Sequence, residues 1–202
     1  LSAFEGSSSS GEALAALGTL RFVLQNDLRG ATDDLRTAAG LIPDSEQVWE
    51  TLSLVLHRQK DFTELAAVCE ARAMARPTAR NKILLAKAHE KLGNQVRALE
   101  EAVNAIALNA NDFAANLALA NLLMRLADDD DFSPRIRQSL VAAERAIRNG
   151  GVGSQFVDLA LAQSIYHTLA GEEDRARAIL KAALAYAKDN PEINAALNAI
   201  GY

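Results

Sequence analysis

The sequence offers little with which to do chemistry. One cysteine, Cys69, stands in 202 residues, so no internal disulfide can form and the fold does not depend on an oxidising compartment; a lone thiol leaves the compartment itself undecided. No apolar run approaches the ~18 to 20 residues that span a bilayer. Aromatic residues make up only 5% of the chain, so its helices must pack on small side chains, with alanine abundant. Positive charge is not in excess: 21 Lys and Arg face 26 Asp and Glu, giving a net charge of −5 and a pI near 5.3. A general nucleic-acid binder is thereby excluded, because phosphates demand a clustered positive footprint. A Gly-rich phosphate loop, a nucleophile elbow, zinc-type Cys/His spacing and a metalloprotease His pair are all missing. The expectation is a chain that is not an enzyme and needs no metal or cofactor.

What is present is a repeat. The segment from Lys82 to Asp112 carries Leu85, Ala86, His89, Gly93, Ala98, Ala102 and Ala105. Thirty-three residues back, the same frame finds Trp49, Leu52, Ser53, Leu56, Lys60, Leu65, Cys69, Arg72 and Pro77, and 34 further back Phe22, Ala31, Leu35, Ala38 and Pro43. Two helices per repeat are predicted to meet antiparallel across turns near Asn26-Asp27, Lys60-Asp61, Gly93-Asn94 and Gly171-Glu172. Small residues at Ala31, Ala98 and Ala176 let the backbones approach where the helices cross. Larger ones at Leu35, Cys69 and Leu180 fill the next layer. Such a hairpin cannot bury its apolar face alone and stacks on its neighbours.

Helix starts follow the same frame. Ser9 with Glu12 and Asp44 with Gln47 have capping-box spacing, Thr78, Asn111 and Ser154 are candidate N-caps, and Asn190-Pro191 opens a last helix. The predicted hairpins run about 12–45, 46–78, 79–112, 113–153 and 154–188, with a capping helix at 190–202. Residues 1–11, with serines at 7 to 10, read as a linker. The chain opens on Leu1 without a signal segment, which suggests an excised fragment or processed product. The fourth hairpin departs from the frame: Ala146 arrives seven residues late, with Asp128 to Phe132 inserted and Ser133-Pro134 restarting a helix.

The order of large, small and aromatic positions, then Ala-x3-large-x2-Ala and a closing Pro, is similar to the tetratricopeptide pattern, Trp49-x2-Leu52 being the closest match. The resemblance covers almost everything after Ser10. It implies an all-α right-handed solenoid of about five helical hairpins with a C-terminal capping helix, and a concave groove lined by the first helix of each hairpin. Carried over residue by residue, the groove positions are Gln47, Glu50, Leu54, His57 and Arg58, then Arg80, Ile83, Lys87, Glu90 and Lys91, then Ala114, Leu117, Asn121, Met124 and Arg125. The implied partner site is a cationic centre of His57, Arg58, Lys87, Lys91, Asn121 and Arg125. Flanking it are apolar positions, Ala13, Ala16, Leu20, Val23 and Leu24 on one side and Leu161, Ile165 and Leu169 on the other. The carboxylate clamp of chaperone-binding relatives is absent, since its positions read Ala16, Leu20, Leu54, Ile83 and Lys87.

The remaining candidates have plainer readings. His89 and His167 fall where the repeat places an aromatic ring, and Cys69 on the core side of its helix, so packing is expected of all three. The run Asp128 to Asp131 lacks the alternating ligands of a calcium loop and reads as a solvated acidic loop. The sequence therefore predicts a scaffold that holds an acidic peptide or protein, without nucleic acid or membrane insertion. The rivals are a homodimer through the apolar groove ends, an RNA-binding helical repeat and the regulatory arm of a larger protein. The chain is expected to be soluble, cytoplasmic by default and periplasmic where a signal or anchor has been removed.

Overall fold

The computed structural model describes residues 2–126, 134–148 and 151–201, and among them there is no strand. The helices are α1 (Ser2–Leu20), prolonged by a π-helical turn (Arg21–Gln25), α2 (Leu28–Leu41), α3 (Glu46–Gln59), α4 (Phe62–Ala75), α5 (Ala79–Lys91), α6 (Gln95–Leu108), α7 (Phe113–Leu126), α8 (Pro134–Ile147), α9 (Gly153–Leu169), α10 (Glu173–Ala183) and α11 (Pro191–Ala199). They gather into two compact units. One holds the chain up to Pro77 with Lys87–Asn94, the other Thr78–Ala86 with the chain from Gln95 onward, so α5 is shared. In the first unit α1 packs on α2, α2 on α3 and α3 on α4. In the second, α6 to α10 pack in sequence and α11 closes on α9 and α10. No helix among the described residues is long and apolar enough to cross a membrane.

All four predicted turns are made by a left-handed residue: Asn26 (φ 53°), Lys60 (φ 62°), Gly93 (φ 76°) and Gly171 (φ 73°). At Lys60, Gly93 and Gly171 the next residue's N–H reaches back five residues, to the carbonyls of Leu56 (3.1 Å), His89 (2.9 Å) and His167 (2.8 Å), which satisfies helix-end acceptors. Asp27 and Asp61 then cap the next helix, accepting from the N–H of Gly30 and Glu64 at 3.0 Å each.

Thr78 and Asn190 cap as predicted, Thr78 Oγ1 accepting from Asn81 N–H at 3.2 Å and Asn190 Oδ1 from the N–H groups of Glu192 and Ile193. Elsewhere the cap moves. Asp112, not Asn111, accepts from Ala115 N–H at 2.8 Å. Gln155, rather than Ser154, serves the α9 start by accepting from Val152 N–H. Asp44 forms no capping box but pairs with Arg76 at 2.7 Å.

The core follows the frame. Ala31, Ala98 and Ala176 are fully buried, and Leu35, Cys69 and Leu180 lie in the next layer with at most 4% exposure. Burying a leucine such as Leu35, Leu52 or Leu56 contributes roughly 1.5 to 3 kcal/mol. Two expectations are corrected. Residues 6 to 11 are not a linker but lie within α1, where serine costs little helix propensity and Gly11 seats the helix on α2: a Cβ there would meet Ile42 Cγ2 at 2.9 Å. In the fourth hairpin the buried row Ala98, Ala102, Ala105 recurs as Ile136, Leu140, Ala143, a step of 38 residues. The insertion is therefore four residues beyond a 34-residue step, not seven, and Ala146 is only half-buried. The acidic run Asp128 to Asp131 lies outside the described residues.

Candidate functional site

The six residues expected to form the partner site stand on three helices. His57 and Arg58 are exposed near the end of α3, and His57 is steadied by Phe62, the first residue of α4, at an edge-on ring distance of 5.7 Å. Lys87 and Lys91 are exposed on α5, one helical turn apart and hence on one face. These four belong to the first compact unit. Asn121, half-buried, and Arg125, exposed, are likewise one turn apart on α7 in the second.

The cations of the first unit divide into two groups. Arg21 pairs with Asp34 (3.3 Å), Arg36 with Glu64, and Arg76 with Asp44 and Glu46. Arg72 is 5% exposed and lies over the Trp49 ring (5.6 Å to its centre), pairs with Glu46 and donates to the Pro43 carbonyl at 3.0 Å. By contrast the side chains of Arg58, Lys87 and Lys91, like those of the exposed Arg29 and Lys60, have no hydrogen bond or ion pair with any described residue. Their charges remain available to a ligand. Trp49 is half-buried, its Nε1–H donating to the same Pro43 carbonyl at 2.8 Å, so it seals the α2–α3 connection instead of filling the hairpin interior.

The other groove positions divide. Leu54 is exposed, but Ile83 and Met124 are buried and Leu117 packs against the second unit's core. On the apolar flanks Leu20, Val23, Leu24, Ile165 and Leu169 are exposed, whereas Leu161 joins a core. Sequence reasoning missed the groove of about 500 Å³ between α1 and α3, whose walls include Ala15, Thr19, Leu35, Ile42, Val48 and Thr51. Adjacent alanines at 15 and 16, between Gly11 and Gly18, were the available signal.

The histidines and the thiol behave as packing groups or local pairs. His89 is buried, and His167 Nδ1 lies 2.7 Å from Glu172 Oε2. That hydrogen bond holds the Glu172 carboxyl below its ordinary range. Burial pushes the Cys69 thiol up to about 11. Among the described residues no three His, Cys, Asp or Glu side chains gather as a metal set.

Neither a family model nor a curated protein matches the sequence. Solved structures do match the fold. A tetratricopeptide repeat protein from Parabacteroides merdae superposes with a TM-score of 0.70 at 16% identity, over 95% of this chain and 72% of that one. TTC0263, a TPR protein of Thermus thermophilus, gives 0.69 at 14% identity, over 95% of this chain and 98% of that one. The fold is that of the tetratricopeptide repeat. YrrB, a TPR protein with an unusual peptide-binding site, also aligns, at a TM-score of 0.58 and 16% identity over 98% of this chain and 96% of that one. In tetratricopeptide terms, Arg72 occupies the late small position that Ala38 and Ala105 fill in the neighbouring repeats, each of them fully buried. The second repeat thus replaces a packing alanine with a buried charge that fastens its own entry loop.

Proposed function

We propose that this chain is a non-enzymatic interaction scaffold that holds an acidic peptide or protein against exposed cations of the first unit, with Arg58, Lys87 and Lys91 at the centre and His57 contributing. The observation that carries the reading is the contrast within the first unit: Arg21, Arg36, Arg72 and Arg76 are tied to carboxylates, while Arg58, Lys87 and Lys91 are exposed and unengaged among the described residues. Cations left unpaired in a protein of net charge −5 mark a local surface for negative charge. The fold supports the reading in kind, since YrrB is described as having a peptide-binding site and another fold neighbour, Cut9, forms a hetero-tetramer with Hcn1.

A fluorescently labelled glutamate-rich peptide set provides the test. Binding should weaken as salt rises, because exposed charges are screened over roughly 8 to 10 Å near physiological ionic strength. Reversing Lys87 and Lys91 to Glu should lower affinity about tenfold or more, equivalent to ~1.4 kcal/mol, with circular dichroism and melting temperature unchanged. Arg97→Glu, on α6, should do little. Equal loss from both changes, or binding indifferent to salt, would count against the reading.

A further inference from the structure

Several of the exposed apolar side chains of the first unit stand on the last turns of α1 and on α3, with Met74 on α4 apart from them. Leu20 is 50% exposed, Val23 66% and Leu24 74%, and Leu54 on α3, one repeat step from Leu20, is 60% exposed. Single exposed leucines are ordinary, but such a group on two neighbouring first helices marks a contact surface. Val23 and Leu24 stand on the π-helical turn that ends α1. Arg21 is drawn toward α2 by Asp34, so Val23, two residues later in a wide turn, falls on the opposite side. Asp27 N–H then reaches the Arg21 carbonyl at 3.0 Å and closes the turn with the side chains of Val23 and Leu24 outward.

Beside these projections lies the α1–α3 groove. Its volume of about 500 Å³ exists because Ala15 and Ala16 are small, and its apolar walls are completed by Leu35, Ile42 and Val48. A space of that size falls in the range that accepts several side chains or a small ligand. Leu20 belongs both to the groove wall and to the projecting row. The surface therefore carries a knob and a hole side by side, and a surface complementary to itself is what a two-fold contact between identical chains requires. Its lining includes one charged residue, Glu12, and no cation, so it is not suited to the acidic ligand assigned above.

We propose that this face pairs with a second copy of the chain, Val23 and Leu24 of each copy entering the α1–α3 groove of the other around a two-fold axis near Leu20. The pairing uses no cation, so it does not require Arg58, Lys87 or Lys91.

Sedimentation equilibrium of the 202-residue chain through the micromolar range tests this. The apparent mass should rise from 21.6 kDa toward twice that value. Leu20→Glu with Leu24→Glu should hold the mass at one copy, raising the dissociation constant about 30-fold or more, as loss of a hot-spot contact does; circular dichroism should be unchanged because both side chains are exposed. Ala16→Phe, which fills the groove without adding charge, should also leave one copy. Ile165→Glu in the second unit and the Lys87→Glu, Lys91→Glu pair should still dimerise. A single-copy mass for the unaltered chain, dimers that survive the Leu20 and Leu24 changes, growth beyond two copies, or dissociation caused by Ile165→Glu or by the lysine reversals would each overturn the proposal.

Discussion

Cys69 sits on α4 with 4% of its surface exposed, and removal from water disfavours the thiolate so strongly that its pKa rises to about 11 against a weak opposing hydrogen bond with Ser53. Near pH 8 almost none of it is ionised. Iodoacetamide should therefore label the native chain only as fast as the chain opens, and labelling at the rate of a free thiol would contradict the packing. Glu172 shows the opposite case, a carboxyl lowered chiefly by its hydrogen bond with His167, with the charges of His167 and Arg175 adding. A group depressed on folding contributes stability above its unfolded pKa, about 4.3 for Glu, and loses it as the pH falls through the lower folded value. His167→Ala should move the Glu172 titration, followed by carboxyl-carbon NMR, upward toward the ordinary range. A curve that stays in place would show that His167 is not the cause. The sequence placed Cys69 in the core correctly, but it carried no sign of the His167–Glu172 contact, which depends on the turn at Gly171 bringing the end of α9 back to the start of α10.

At the scale of the helical hairpin, the turn residue matters more than the side chains around it. Asn26, Lys60, Gly93 and Gly171 share one left-handed backbone state, yet only glycine adopts it without a Cβ penalty. Lys60→Gly should stabilise the chain by up to about 1 kcal/mol, and Gly93→Ala should destabilise it by about 1 to 2 kcal/mol, both read from urea midpoints at constant slope. Lys60 is the informative position. Nothing in a lysine announces a turn, and it was found only because it stands 34 residues after Asn26 and 33 before Gly93. Helix caps were less legible because neighbouring polar residues compete. Asn111 and Asp112 are equally good candidates by type, and which one caps is decided by backbone geometry at the helix entry.

Over the whole molecule, each unit has a core of its own: Leu35, Leu52, Val55 and Leu56 are fully buried in the first, and Ile136, Ile147, Leu180 and Ile193 in the second. Repeat proteins distribute stability through local contacts, so damage to one core should be felt there first. Gly18 gives a clean lever. A Cβ on it would come within 2.8 Å of Leu35 Cγ and 3.2 Å of the Ala31 carbonyl oxygen, so Gly18→Ala forces α1 away from α2 at a cost of roughly 1 to 3 kcal/mol. Hydrogen exchange in α2 should accelerate while that in α10 and α11 stays the same. Gly40→Ala, where nothing lies within 4 Å, should by comparison stabilise α2 slightly. Uniform acceleration through all helices after Gly18→Ala would mean that the two cores unfold as one.

The spacing of residues by itself determined that the chain is helical, where its hairpins turn and which small side chains lie at the crossings, because these follow from a period that recurs about every 34 residues along the chain. Ala31, Ala98 and Ala176 could be read as buried for that reason alone. Tertiary structure decided everything that depends on which face of a helix meets another. It turned Ile83 and Met124 inward from positions expected to line a groove, drew residues 6 to 11 into α1, and buried Arg72 in an alanine's place with Glu46 and the Pro43 carbonyl as partners. That Val23 and Leu24 stand outside was legible, since both were expected on the apolar flank, but the π-helical turn that carries them was not. Periodicity fixes the phase of a helix relative to its own repeat, but how much of each face is buried depends on the neighbours packed against it.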